Sequence, residues 1–118
     1  MLLRGEMKIC REFLFDSAHL LPKYKGKCEQ MHGHTYKLEV IVEGEVGKDG
    51  MVRDFDELKR VVDSEIIEKL DHKNLNDILK IPTAENIAIW IFKRLKSRIK
   101  LHSVKLWEGQ GKWVLIER

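Results

Sequence analysis

Between Met7 and Ala18 the chain is dense in aromatic and branched residues, and Ile9, Phe13 and Phe15 share one parity, the signature of a strand with one buried face. Carried onward, that parity reaches Ser17 and His19, so a regular strand points the His19 imidazole to the side of the phenylalanines. Residues 21–30, LPKYKGKCEQ, combine Pro, Gly and three lysines and read as a loop. The cleanest alternation follows over 32–43, with Tyr36, Leu38, Val40 and Val42 on one face and Lys37, Glu39 and Glu43 on the other. His32 and His34 have the parity of the apolar side. A GKDG turn at 47–50 leads to a short strand expected over 51–54.

The period then changes to that of a helix. Phe55, Leu58, Val62 and Ile66 predict a helix over 55–70, with Asp54 and Glu57 placed like a capping box. Residues 71–77, DHKNLND, read as a loop. After Pro82, Thr83 is the expected N-cap of a second helix whose stripe is Ile87, Trp90, Ile91 and Leu95, ending in the basic stretch 96–100. Two strands close the chain, over 101–108 and 112–116, joined by a glycine turn, GQG. Val104, Leu106 and Glu108 share a parity, which sets a carboxylate at the end of an apolar face, where an unpaired charge is costly. Antiparallel hairpins covered on one face by two helices give an α+β domain, and 118 residues suit a single one.

Composition narrows the function. A hydrophobic fraction of 43% is that of a folded soluble chain, and a net charge of +3, from Lys+Arg 22 against Asp+Glu 19, is too small and too mixed to point to nucleic acid. No apolar run approaches the roughly 18 residues of a membrane helix, and residues 1–7 are too short and polar for a signal peptide. The expected compartment is the cytoplasm, with neither membrane nor nucleic acid as partner. Two cysteines, Cys10 and Cys28, make no disulfide framework.

The strongest chemical signal is His19 with His32-Gly33-His34. Histidines at i and i+2 on a strand present both rings on one face, and a third from a neighbouring strand supplies three legs of a tetrahedron, a donor set that suits zinc and leaves one position open. A lone histidine is more often a hydrogen-bonded core residue; three in this pattern favour a metal. Cys28, four residues before His32, is either a fourth ligand closing a structural site or a thiol kept off the metal for proton transfer, and spacing does not choose between them. Asp71-His72 is a pair in which the carboxylate can fix the imidazole tautomer, or simply a solvated acid beside a histidine. Glu108 is either a partner for a basic side chain or an anchor for a ligand offering paired N–H donors. Lys23, Lys25 and Lys27 surround Cys28 and form either a solvated loop or an attraction for polyphosphate.

Five motifs in order, FDSAH at 15–19, CEQMHGH at 28–34, LDHKNLN at 70–76, PTAEN at 82–86 and WEG at 107–109, resemble the 6-pyruvoyl-tetrahydropterin synthase and 6-carboxy-tetrahydropterin synthase family. The resemblance implies the tunnelling fold, in which ββααββ units join their sheets into a barrel, commonly as a dimer of trimers with shared active sites. It implies His19, His32 and His34 as zinc ligands and Cys28 as the proton-transferring thiol, with Asp71 and His72 of a neighbouring subunit as its relay. Glu108 would grip the pterin ring edge, and Thr83 and Glu85 would line the pterin pocket. The substrate would be 7,8-dihydroneopterin triphosphate. The short Cys28-x-x-x-His32 spacing resembles the branch that forms 6-carboxy-tetrahydropterin, acetaldehyde and triphosphate on the way to queuosine or archaeosine, rather than the branch that retains the side chain as 6-pyruvoyl-tetrahydropterin. Glu29, where glycine is frequent in the bacterial enzymes, departs from that branch. A different class of answer is a non-catalytic binding module stabilised by zinc, with Cys28 as fourth ligand.

Overall fold

The computed structural model describes residues 6–20 and 31–118. Strands β1 (Glu6–His19) and β2 (His32–Glu45) pair antiparallel in one unbroken register, from Glu6 opposite Glu45 to His19 opposite His32. The expected parity holds. Phe13, Phe15, Ser17 and His19 are buried while Glu12, Leu14 and Asp16 are exposed, and Tyr36, Leu38, Val40 and Val42 are buried on β2. Both strands run a little beyond their predicted ends, because each residue added also finds a cross-strand partner.

The strand expected over 51–54 does not form. Met51 is engaged locally instead: Gly47 N donates to its carbonyl at 2.9 Å and its own N donates to Asp49 Oδ1 at 3.0 Å. Asp54 then caps the first helix, its carboxylate accepting from Asp56 N at 2.7 Å.

Helix α1 (Phe55–Val62) passes through a π-helical turn (Asp63–Ile67) into a last α-turn (Glu68–Leu70). Its fully buried residues are Leu58, Val62, Ile66 and Leu70, a strict four-residue repeat. On an α-helix such a repeat drifts by about 40° per step. One widened turn takes back part of the drift and keeps all four side chains against the sheet. The Glu65 carbonyl within that turn accepts from Arg94 Nε at 3.0 Å, so a side chain of the second helix satisfies it. Phe55, placed on the buried stripe by its spacing, is 49% exposed instead; it opens the helix, ahead of the turns that pack.

A two-residue strand, β3 (Lys73–Asn74), pairs parallel with Ser17 and Ala18 of β1 inside the stretch read as a loop. A 3₁₀ turn (Leu75–Asp77) follows. Helix α2 (Ala84–Leu95) starts at Thr83, whose hydroxyl accepts from Asn86 N at 3.1 Å, and buries Ile87, Ala88, Ile91 and Leu95. Strands β4 (Leu101–Glu108) and β5 (Trp113–Glu117) complete a sheet of order β3-β1-β2-β4-β5. Their connection turns on Gly109 (φ 67) and Gly111 (φ 80), conformations that disfavour a side chain. The core lies between the helices and one face of the sheet, with Tyr36, Leu38, Val40, Val104 and Leu106 meeting Leu58, Ile66, Ile87 and Ile91. The architecture is the expected α+β sheet carrying two helices.

Candidate metal centre and active site

The end of the β1–β2 pair brings three imidazoles together. His19 faces His32 across the ladder, and His34 lies two residues along on the same face. The ring centroids are 4.8 to 4.9 Å apart and the rings stand nearly edge to face, at 76° to 83°. His19 Nε2 lies 3.2 Å from His32 Nε2 and 3.2 Å from His34 Nε2. Tetrahedral zinc with N ligands at 2.0–2.1 Å spaces them about 3.3 Å apart. The geometry therefore fits, and the group can hold a metal ion. His19 is buried at 1% exposure whereas His32 is exposed and His34 half-buried, so the open side of the group is the one away from His19.

The His19 nitrogen behind the cluster is also committed. His19 Nδ1 donates to the Pro82 carbonyl at 2.8 Å, which leaves Nε2 as the lone-pair nitrogen. Burial holds the His34 imidazole below its ordinary pKa, against the opposing pull of Glu108 and with the help of the other two imidazoles. Neutral rings are what a metal requires.

Glu108 lies opposite Tyr36 in the β2–β4 register, 4.0 Å from His34 Nε2 and 3.5 Å from Lys112 Nζ. It lines a cleft of about 210 Å³ with Ala84, Glu85, Lys112 and Trp113. Burial, then the Glu108 charge, pushes the Tyr36 phenol far above its usual pKa, so it stays a neutral hydroxyl. Glu85 thus shares a cleft with Glu108, whereas the Thr83 hydroxyl is engaged in capping α2.

Asp71 and His72 stand elsewhere. They bracket the edge of β1: Asp71 Oδ1 accepts from Asp16 N at 2.9 Å and from His72 Nδ1 at 3.1 Å, and His72 N donates to the Asp16 carbonyl at 2.6 Å. Those bonds hold the Asp71 carboxyl below its usual pKa, the Asp16 amide contributing most. His72 has φ 57 and a side chain 78% exposed, a left-handed backbone that is uncommon for a residue with a Cβ. The side chain of Asp16 points to the face opposite His19 and accepts from Thr35 Oγ1 at 2.5 Å. Within one chain the Asp71–His72 pair and the three-imidazole group are therefore separate clusters. A shallow cleft of about 550 Å³ adjoins the pair, lined by Asp16, Gly33, His34, Thr35 and His72 among others.

The sequence model of the 6-pyruvoyl tetrahydropterin synthase family matches residues 8–118. The chain belongs to that family. It is 47% identical over 107 residues to a dihydroneopterin monophosphate aldolase of Pyrococcus furiosus, covering 87% of this chain and 90% of that protein. It is 42% identical to a putative 6-carboxy-5,6,7,8-tetrahydropterin synthase of Archaeoglobus fulgidus, with 96% and 97% coverage. It is 39% identical to a 6-carboxy-5,6,7,8-tetrahydropterin synthase of Haemophilus influenzae, with 86% and 92% coverage. Among solved structures, the 6-pyruvoyl tetrahydropterin synthase of Caenorhabditis elegans superposes with a TM-score of 0.86 at 29% identity, over 100% of this chain and 99% of that one.

As a member of the 6-pyruvoyl tetrahydropterin synthase family, the chain is similar to enzymes of pterin synthesis throughout its length. Cys28, with Lys23, Lys25 and Lys27, lies outside the described residues. Three contributors to the site escaped the reading of the sequence: the Pro82 carbonyl, Asn86 and Asn76. The last grips Leu20, immediately after His19, accepting from its N at 2.7 Å and donating to its carbonyl at 2.8 Å. Their only signal was position, Pro82 and Asn86 at the ends of the PTAEN motif and Asn76 at the end of LDHKNLN. A backbone carbonyl has no sequence signature of its own.

Proposed function

We propose that the chain is a zinc-dependent lyase that cleaves the side chain of a phosphorylated 7,8-dihydroneopterin. The observation that carries this reading is the convergence of three Nε2 atoms with a carboxylate, Glu108, 4.0 Å from one of them. His19, His32 and His34 would hold the ion, which supplies Lewis acidity toward the side-chain hydroxyls of the substrate. Glu108 would accept the paired N–H donors of the pterin ring edge, with Glu85 beside it and Thr83 shaping the pocket wall as the N-cap. Cys28 would take a proton as thiolate and return it as thiol. Asp71, by accepting from His72 Nδ1, leaves the other ring nitrogen free to exchange that proton with the thiol.

Because Asp71–His72 is separate from the imidazole group, the pair would come from a neighbouring copy. A barrel built from a homo-oligomer, a dimer of trimers, answers two features of the lone chain. Among the described residues β3 covers only Ser17 and Ala18 of the outer β1 edge, and Leu14, Trp113 and Leu115 stay 67%, 48% and 43% exposed. The compartment proposed is the cytoplasm.

The product proposed is 6-carboxy-5,6,7,8-tetrahydropterin, formed from 7,8-dihydroneopterin triphosphate with release of acetaldehyde and triphosphate, in a deazapurine pathway. The Cys28-x-x-x-His32 spacing and the Archaeoglobus and Haemophilus relatives support it. A second reading is favoured by the 47% identity to the Pyrococcus aldolase and by Glu29 beside Cys28. In it the substrate is the monophosphate, and a retro-aldol step breaks the bond between the first and second side-chain carbons. The proton of the second carbon's hydroxyl goes to a base, that carbon leaves as glycolaldehyde phosphate, and the first carbon takes up a proton to become a hydroxymethyl group.

The test is incubation of zinc-loaded protein with each phosphate ester, with pterin masses and released aldehyde measured. Acetaldehyde from the triphosphate is the expected result, and glycolaldehyde phosphate from the monophosphate selects the second reading. An intact three-carbon side chain with triphosphate lost would make the chain a 6-pyruvoyl-forming enzyme. No consumption of either ester would sink the lyase reading and leave a zinc-stabilised binding module.

A further inference from the structure

His19 is buried at 1% exposure, and what its two nitrogens meet fixes its ring. Nδ1 lies 2.8 Å from the Pro82 carbonyl oxygen. A carbonyl only accepts, so Nδ1 carries the proton and Nε2 keeps the lone pair a metal needs. The Tyr36 hydroxyl also approaches Nδ1, but at 3.4 Å, a longer contact than the carbonyl makes. The direction of one peptide carbonyl therefore sets the tautomer of the most buried imidazole of the centre.

The turn that carries that peptide is tied to the start of α2. Ile81, Pro82 and Thr83 form a tight turn closed by Thr83 N donating to the Ile81 carbonyl at 3.0 Å. Pro82 has no N–H with which to secure itself. The same Ile81 carbonyl accepts a second bond, from Asn86 Nδ2 at 2.8 Å, and Asn86 N donates to Thr83 Oγ1 at 3.1 Å. Asn86 lies in the first turn of α2, so its side chain ties the 81–83 turn to the start of that helix.

We propose that Asn86 is a positioning residue of the metal centre: its side-chain amide fastens the 81–83 turn so that the Pro82 carbonyl accepts from His19 Nδ1 and His19 Nε2 stays available to a metal ion. The inference rests on the zinc reading above. It differs from a helix-capping role, because the bond that matters runs to Ile81, outside the helix, and its consequence is read at His19.

The test measures zinc affinity of the full chain by competition with a chromophoric chelator, together with ¹⁵N spectra of the histidine rings. Asn86→Ala removes the donor. Asn86→Asp keeps the size but turns an acceptor toward the Ile81 carbonyl, and it decides the matter if the alanine variant does not fold. Both are expected to bind zinc roughly tenfold more weakly, with His19 in the metal-free protein moving from the Nδ1–H toward the Nε2–H form. Asp54→Ala, which removes the cap of α1 and touches nothing in the 81–83 turn, is expected to lower the melting temperature and leave zinc affinity unchanged. Asn86 variants that match the wild type in both readouts would overturn the inference alone. Wild-type protein that takes up no zinc would overturn the metal reading beneath it.

Discussion

His19 and His32 stand directly opposite each other at the last rung of the β1–β2 ladder, with their Nε2 atoms 3.2 Å apart. Every cross-strand pair from Glu6–Glu45 onward has to be in register for that meeting to occur, and a slip of one residue would turn either ring to the other face. The metal group is thus a property of the sheet's pairing as much as of the three residues.

Replacing one ligand should separate metal binding from folding. His19→Ala is expected to abolish stoichiometric zinc, measured by elemental analysis, while far-ultraviolet circular dichroism still reports the sheet. In the wild type, free zinc at a hundred times its Kd should add about 2.7 kcal/mol to stability. A melting temperature that does not respond to zinc or chelator would argue against a metal site here.

Acid should weaken the metal-free protein through His34. Its folded pKa lies below the ordinary 6.5 because burial disfavours the cation, so the unfolded chain binds the extra proton first. Stability then rises with pH through the window between the folded value and about 6.5, and is lost on acidification through it. Denaturant melts of wild type and His34→Gln across pH 5 to 7.5 measure this, the variant being expected to show the flatter profile.

Glu108→Gln is expected to keep zinc and lose pterin recognition. A charge-assisted hydrogen bond is worth about 1.5–3 kcal/mol, which is a 10- to 100-fold rise in KM. Glu108 also raises the pKa of His34, so its neutralisation should let zinc bind at somewhat lower pH. Zinc titrations of the variant at pH 5.5 and 7 check the second effect independently of turnover.

Cys28→Ala is expected to retain one zinc per chain and the wild-type melting temperature while turnover disappears. Stoichiometric loss of zinc in this variant would make Cys28 a ligand and the centre a closed structural one.

At the β1 edge, His72→Gly should relieve the left-handed backbone at φ 57, leaving stability unchanged or higher by up to about 1 kcal/mol, yet lower turnover without loss of zinc. Asp71→Ala, which strips the Asp16 amide of its acceptor, should instead cost about 1–2 kcal/mol. Its effect should fade below pH 4, because the wild-type carboxyl is held below its usual pKa and its stabilising bonds are lost only as pH falls through that lowered value. Chemical melts at pH 7 and pH 3 compare the two variants.

What the sequence determined by itself was whatever depends on periodicity. Parity along one strand put His19 beneath Phe15, and parity along the next put His34 beneath Tyr36; four-residue spacing announced both helices, and Thr83 their second cap. Strands and helices repeat regularly, so side-chain direction follows from counting. Counting failed where the backbone's partners are distant or irregular. Lys73–Asn74 became a strand only because the β1 edge was there to pair with it, residues 51–54 did not because Met51 closes a local turn and Asp54 opens the first helix, and the π-helical turn arose from the need to keep Leu58 through Leu70 on one face. Tertiary structure alone decided that His19 takes its tautomer from Pro82, that Glu108 comes within 4.0 Å of His34, and that Asp71–His72 lies apart from the imidazoles in the same chain. Those relationships join residues far apart in the chain, and their distances depend on how the helices and the sheet edges pack, which no local pattern encodes.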